Sequence, residues 1–289
     1  MKHDNSFAVD VMPSVEIKMR EMLGDGTAAS HACRHLDAGG NRVRARLALD
    51  TARILGLPET PSIAVAAASE LLHNASLVHD DLQDGDTTRR GQPALWARFG
   101  GASALCAGDL LLSAAYAALV SAATSRTGRV VAVMHEAVAA TIAGQVDDLS
   151  TTSDLSFERA IDIAGAKSGP LIALPVRLCL ILADIKDDRQ VMRAATLLAS
   201  GYQIADDLSD LERDRLAGTT NIVATLIHAG HSVGSARATT LAYARAQLAA
   251  SRDAARTVPR KAGIPLAALA DRVETGLAGM RFMEADHAT

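Results

Sequence analysis

Thr60-Pro61-Ser62 opens a stretch that runs through Leu72-His73-Asn74-Ala75-Ser76-Leu77-Val78-His79 into Asp80-Asp81-Leu82-Gln83-Asp84. Proline suits the first turn of a helix, and the residues that follow show no strand alternation. The pattern predicts one long, apolar helix that ends in carboxylates. Positions four apart share a helix face, so Asp80 aligns with Asp84. The form recurs as Asp206-Asp207-Leu208-Ser209-Asp210, where Asp206 aligns with Asp210. Carboxylates packed beside a core are costly unless positive charge meets them. Hard oxygen ligands in such numbers suit Mg²⁺, which completes its shell with water and a phosphate-bearing substrate. The duplicated motif points to metal-assisted chemistry on a diphosphate. Thr87-Thr88-Arg89-Arg90-Gly91 follows the first cluster, and guanidinium forks bind phosphate oxygens bidentately.

Composition agrees with a helical reading. The 289 residues are 49% hydrophobic but only 3% aromatic, and alanine and leucine without β-branched runs favour packed helices over sheets. Gly24-Asp25-Gly26, Gly39-Gly40, Gly56 and Gly100-Gly101 break the pattern. Between such breaks we expect helices at 13–23, 43–55, 60–84, 102–123, 129–149, 156–182, 187–213, 222–229, 235–255 and 265–283. The expected architecture is all-α, a single domain over residues 1–289 built from about ten helices.

A net charge of −4 sets up no field for nucleic acid, and few aromatics are available to stack bases. Cys33, Cys106 and Cys179 follow no metal-ligand spacing and read as core thiols in a reducing compartment. Met1-Lys2-His3-Asp4-Asn5 lacks the apolar segment of a signal peptide. The longest apolar stretches, 102–124 and 170–184, are interrupted by Asp109 and by Pro175 and Arg177, so neither reads as a stable membrane span. A cytoplasmic location is expected.

The ordered motifs resemble the trans-isoprenyl diphosphate synthases, or polyprenyl synthetases. They are Gly39-Gly40-Asn41-Arg42-Val43-Arg44, Leu72 to Asp81, Arg89-Arg90-Gly91-Gln92-Pro93, Gly108-Asp109, Gly144-Gln145-Val146-Asp147-Asp148-Leu149, Lys167-Ser168-Gly169 and Tyr202-Gln203-Ile204-Ala205-Asp206-Asp207. The resemblance implies antiparallel helices around a deep central cavity, a homodimer, and three Mg²⁺ ions. It implies that Asp80, Asp84 and Asp206, supported by Asp81, Asp207 and Asp210, hold Mg²⁺ against an allylic diphosphate. Arg89 and Lys167 would bind that diphosphate, while Arg42, His73 and Arg90 would bind isopentenyl diphosphate. Gln203 and the carbonyls near Lys167 would line the carbocation, where Gly169-Pro170 should bend the helix.

Two departures stand out. The family's Gly-Gly-Lys-Arg appears as Gly39-Gly40-Asn41-Arg42, which removes one phosphate-binding ammonium. Losing such a contact costs about 1.5–3 kcal/mol, roughly ten- to a hundred-fold in affinity. The family's lysine-containing loop after the second motif is replaced by the shorter segment 211–221, with Arg213 and Arg215 instead. The small residues Ala75 and Ser76, followed one turn further by Leu72, suggest an open first layer and a blocked second layer in the tail cavity. That points to a twenty-carbon product, geranylgeranyl diphosphate, with a fifteen-carbon product as the neighbouring option. A class I terpene cyclase and a non-catalytic regulatory subunit are the competing readings.

Overall fold

The computed structural model describes residues 10–122, 124–150, 155–186, 188–217 and 221–279. Among them are twelve α-helices and one minimal hairpin, so the all-α expectation holds. The chain divides into two compact units. The first comprises the described residues up to Glu136 together with Leu174–Lys186, and the second comprises Ala137–Ala173 and the described residues after Lys186.

The first unit begins with α1 (Met12–Leu23), α2 (Thr27–Asp37), α3 (Val43–Leu55) and α4 (Glu59–Asp84). The hairpin β1 (Thr88–Arg89) and β2 (Gln92–Pro93) follows, then α5 (Leu95–Phe99) and α6 (Gly101–Ser121). Helix α4 is the spine. It packs on α6, α3 and α1, and Ala64, Val65, Ala66, Ala67, Ala68 and Leu71 are buried along it. Such small side chains let neighbouring helices come close while still excluding water. Gly85, at φ 73°, ends α4 in the left-handed conformation that glycine adopts without strain.

Helices α7 (Thr127–Leu149) and α8 (Phe157–Leu182) each contribute to both units. The second unit continues with α9 (Arg189–Ala217), α10 (Ile222–His228), α11 (Val233–Arg256), a short 3-10 turn and α12 (Ile264–Gly279). Here α11 packs on α9 and α12, and α10 packs on α9 and α11.

Several expectations change. Helices α2 and α5 and the hairpin were not foreseen, because each lies in a short run between glycine or proline breaks. The last expected helix reached residue 283, but 280–283 lie outside the described residues. The N-terminal residues 1–5 do so as well. Helix α8 continues through Pro170 and Pro175 and is assigned as one uninterrupted helix. Of the three thiols only Cys179 is a core group; Cys33 is part-exposed and Cys106 is exposed on the outer face of α6. Helices α6, α7 and α8 are each long and apolar enough to cross a membrane by length and composition, and most of the apolar part of α8 is buried inside the protein.

Candidate active site

The first aspartate motif is the last turn of α4. Asp80 is part-exposed and Asp84 exposed, on one face of the helix. Asp81 turns inward and is only 1% exposed. Its carboxylate receives Arg89 Nε at 2.7 Å, with Arg89 Nη2 on the same oxygen. Burial pushes the Asp81 carboxyl above its usual range, while the bond from Arg89 pulls it back. The hairpin makes this pairing possible. Its two turn residues, Arg90 and Gly91, have φ of 53° and 73°, as a tight two-residue hairpin turn requires. Arg89 is therefore a strand residue aimed at Asp81, while Arg90 projects from the turn.

Arg90 is seated by the Gly39-Gly40 turn. Gly39 has φ 82° and Gly40 φ 121°, conformations that side chains other than hydrogen resist. The Gly39 carbonyl accepts from Arg90 Nη1 and, at 3.2 Å, from Arg42 Nη1. A Cβ on Gly40 would lie 2.6 Å from the guanidinium carbon of Arg90. The glycine pair is thus a cradle for Arg90.

The expected partners of Arg90 divide by what they touch. Arg42 is buried and its guanidinium is engaged by protein acceptors: Glu16 Oε1 at 2.5 Å, the Leu36 carbonyl at 2.9 Å and Gly39. Two positions on, Arg44 Nη1 lies 3.2 Å from His73 Nε2. The start of α3 has no side-chain cap of its own; instead Glu70 of α4 accepts the Ala45 N–H at 3.1 Å. That contact fixes the register of α3 against α4 and so places Arg44 beside His73. Within the glycine motif, nothing local distinguishes Arg44 from Arg42. The signal that separates it from Arg42 is Glu16, which is remote in sequence. His73 is held well below the usual imidazole range, first by burial and then by Arg44 and Arg90. His35 on α2 is pushed down to about 4 by burial, Arg90 and Arg89. Guanidinium charge is concentrated here beside imidazoles kept neutral, which suits an anion.

In the second unit, α7 and α8 touch where Lys167 emerges. A Cβ on Gly144 would meet the Lys167 nitrogen at 2.6 Å and the Ala166 carbonyl carbon at 2.7 Å. Lys167 Nζ donates to Asp148 Oδ2 at 2.8 Å, so Asp148 faces the lysine, while Gln145, one turn earlier on α7, is buried. Pro170 has no N–H to offer the Ala166 carbonyl four residues earlier, so that acceptor lacks its helical bond.

The second aspartate motif lies on α9. Asp206 is exposed and Asp210 part-exposed. Asp207 is buried, with Oδ1 accepting from Gln203 Nε2 at 2.7 Å and Oδ2 accepting the Ile222 N–H at 2.6 Å. Burial raises its carboxyl to about 6 against those two bonds. Asp210 pairs with Arg213 at 2.6 Å, and Arg215 lies 3.4 Å from Glu212. Residues 211–217, expected in a loop, are instead the last turns of α9, and both arginines are engaged there by neighbouring carboxylates. Gly218, Thr219 and Thr220 of the shortened loop lie outside the described residues.

Each motif thus has an inward aspartate, Asp81 or Asp207, fixed by protein donors, and a pair four residues apart on another face. Among the described residues no three His, Cys, Asp or Glu side chains converge as a complete metal site. Mg²⁺ is held through one or two carboxylates plus water and phosphate oxygens, and the two pairs fit that donor set. Along α4, Leu72 and Ala75 are buried, while Ser76 is part-exposed with its hydroxyl on the His73 carbonyl at 2.8 Å. On α6, Leu112 and Tyr116 are part-exposed. Trp96 donates to the Asp86 carbonyl at 2.7 Å and packs the loop after α4.

Comparison with known proteins gives the family. The farnesyl diphosphate synthase of Geobacillus stearothermophilus is 34% identical over 194 residues, 61% of this chain and 64% of that protein. The (2E,6E)-farnesyl diphosphate synthase of Mycobacterium tuberculosis is 34% identical over 177 residues, 58% of this chain and 48% of that protein. The chain thus spans between about half and two thirds of the length of these curated relatives. Among solved structures, the geranylgeranyl pyrophosphate synthetase of Pyrococcus horikoshii has a TM-score of 0.80 at 23% identity, covering 91% of this chain and 95% of that one. That of Geoglobus acetivorans has a TM-score of 0.79 at 23% identity, covering 92% and 99%. At this identity the likeness is one of fold. The family described as Polyprenyl synthetase matches residues 27–221, more than half of the chain, and the chain belongs to that family.

Proposed function

We propose that the chain is a prenyltransferase of the trans-isoprenyl diphosphate synthase type, joining isopentenyl diphosphate head to tail to an allylic diphosphate. The observation that carries this reading is the first unit's pairing of an acidic helix end with a separate cationic cluster. Asp80 and Asp84 suit a metal-bound diphosphate, and Arg44, His73 and Arg90 suit a second one without metal. A hydrolase or a cyclase acting on one diphosphate has no use for the second set.

Mg²⁺, when bound to Asp80, Asp84 and Asp206, supplies positive charge to the departing diphosphate. Arg89 and Lys167 orient that diphosphate. Arg44, His73 and Arg90 hold isopentenyl diphosphate, with Arg44 taking the place first expected of Arg42, whose guanidinium is committed to Glu16. The allylic C–O bond breaks with its electron pair leaving on the diphosphate. The isopentenyl double bond attacks the carbocation, a C–C bond forms, and a proton is lost to the released diphosphate. Gln203 and the Ala166 carbonyl line the cation. Asp81 and Asp207 hold the two motifs in place.

The product we propose is geranylgeranyl diphosphate, because Ala75 and Ser76 leave room where Leu72 closes the next turn. We further propose that the enzyme acts in the cytoplasm as a homodimer. Incubation with Mg²⁺, isopentenyl diphosphate and dimethylallyl, geranyl or farnesyl diphosphate, followed by mass spectrometry, tests the reading. A linear diphosphate longer than the starter supports it and reports its length. Cyclic hydrocarbon formed without consuming isopentenyl diphosphate would instead make this a cyclase, and no turnover with any starter would point to a regulatory subunit.

A further inference from the structure

Asn221 stands at the junction between the second aspartate motif and α10, and it is only 2% exposed. Its side chain makes contacts in two directions. The carboxamide oxygen caps α10, accepting from Val223 N at 2.9 Å and Ala224 N at 3.4 Å. The carboxamide nitrogen reaches back to α9, donating to the Asp207 carbonyl at 2.9 Å and to Asp214 Oδ2 at 2.9 Å. The adjoining Ile222 N–H donates to the Asp207 carboxylate. One residue therefore ties the start of α10 to two points of α9 that bracket Asp210, seven residues apart in sequence.

A cap needs only the oxygen. The two bonds from the nitrogen contribute nothing to α10, and their acceptors sit in the stretch that carries Asp206 and Asp210. The Asp207 carbonyl belongs to the residue after Asp206, and Asp214 lies one turn beyond Asp210. Carboxylates this close repel one another, and α9 runs on from Asp210 only as far as Ala217. Without a tether, the end of a helix frays and its side chains wander. Arg213 also bridges Asp210 and Asp214, but it is exposed, so its hold is weak. The buried amide is the stronger restraint.

From this geometry we infer that Asn221 is a positioning residue that holds Asp206 and Asp210 in register for a Mg²⁺–diphosphate complex, in addition to capping α10. The inference rests on the proposed activity for its ligand class, but its test does not depend on turnover. Partners that orient metal ligands from behind are worth roughly ten- to a hundred-fold in metal affinity.

The test uses the full chain and titrates Mg²⁺ in the presence of inorganic pyrophosphate, by calorimetry. The variant is Asn221→Ser, which keeps a capping oxygen and removes the amide donor. The expected result is circular dichroism unchanged from the natural protein and Mg²⁺–pyrophosphate affinity at least about tenfold lower. Where the protein turns over, the Mg²⁺ concentration for half-maximal rate should rise in parallel, with little change in KM for isopentenyl diphosphate. Affinity equal to the natural protein, with only a lower melting temperature, would reduce Asn221 to a cap and overturn the inference. If the serine variant does not fold, Asn221→Thr likewise keeps a capping oxygen without the amide donor and adds no charge, and the same two outcomes decide. Natural protein that binds Mg²⁺–pyrophosphate but forms no condensation product would count against the proposed activity alone; natural protein that binds none would overturn both.

Discussion

Arg42 and Arg44 stand two positions apart at the start of α3, and backbone geometry decides what each can do. Arg42 sits at φ 48°, before the helix begins, and from there its side chain turns inward to Glu16. Arg44 is already helical and faces His73. The two residues should therefore fail differently. Arg44→Ala should raise KM for isopentenyl diphosphate about ten- to a hundred-fold, the equivalent of about 1.5–3 kcal/mol, with the melting temperature nearly unchanged. Arg42→Ala leaves Glu16 and the buried Glu70 without their cation and should cost about 3–5 kcal/mol of stability. Kinetics and urea denaturation on both variants check this, and the opposite pattern would return Arg42 to the substrate site. His35 gives a pH test. Its pKa falls from 6.5 to about 4 on folding, so the unfolded chain binds the extra proton. Its contribution to stability is full above pH 6.5 and is lost as pH falls from there toward 4. At pH 5 the loss is about 2 kcal/mol. His35→Gln should shrink the stability difference between pH 8 and pH 5 by that amount, and an unchanged difference would mean that the imidazole is not buried neutral. None of this division was legible in the sequence. The motif Gly39-Gly40-Asn41-Arg42-Val43-Arg44 announced cations, but the acceptors that occupy one of them, Glu16 and Glu70, lie 26 and 28 positions away from Arg42.

Helices were legible wherever the sequence punctuated them. Gly56 ends α3 in a left-handed cap as the sequence predicts, because glycine there has a local reason; Gly85 does the same for α4. Helix α2 buries Ala29, Ala32, His35 and Leu36 at helical spacing, but it and α5 are short runs confined between glycine or proline breaks, too brief for periodicity to declare them. What no periodicity shows is how closely two helices approach. Gly144 is an unremarkable helical glycine in sequence, yet α7 touches the backbone of α8 at Lys167 only because Gly144 has no side chain. Gly144→Ala should push that contact apart. The overpacking should cost about 1–3 kcal/mol, or about 2–5 °C in melting temperature. Activity should fall further than stability explains, since Lys167 is carried outward with the α8 backbone. Steady-state kinetics measured well below the melting temperature separate the two effects, and a variant with full kcat/KM would show that the position of Lys167 is not set by this contact.

At the scale of the whole chain, the two aspartate motifs belong to different compact units, and α7 and α8 are the helices common to both. The sequence revealed the duplication but could not say whether the copies act together. If both serve one diphosphate, binding is a single event that needs carboxylates from each. Mg²⁺ with pyrophosphate at a hundred times its Kd stabilises a folded protein by about 2.7 kcal/mol, which for a chain of this length is about 4 °C. We expect that shift in the natural protein. If the two sets serve one diphosphate, as the proposed function has it, Asp84→Ala in one motif or Asp206→Ala in the other should each abolish nearly all of it. Two independent sites would behave otherwise, each variant retaining about half the shift, and chelation of Mg²⁺ should cancel the shift in every protein. Thermal melts of the natural protein, the two single variants and the double variant distinguish these cases. Equal losses in the singles and no further loss in the double are the mark of one complex, since contributions to a shared interaction do not add.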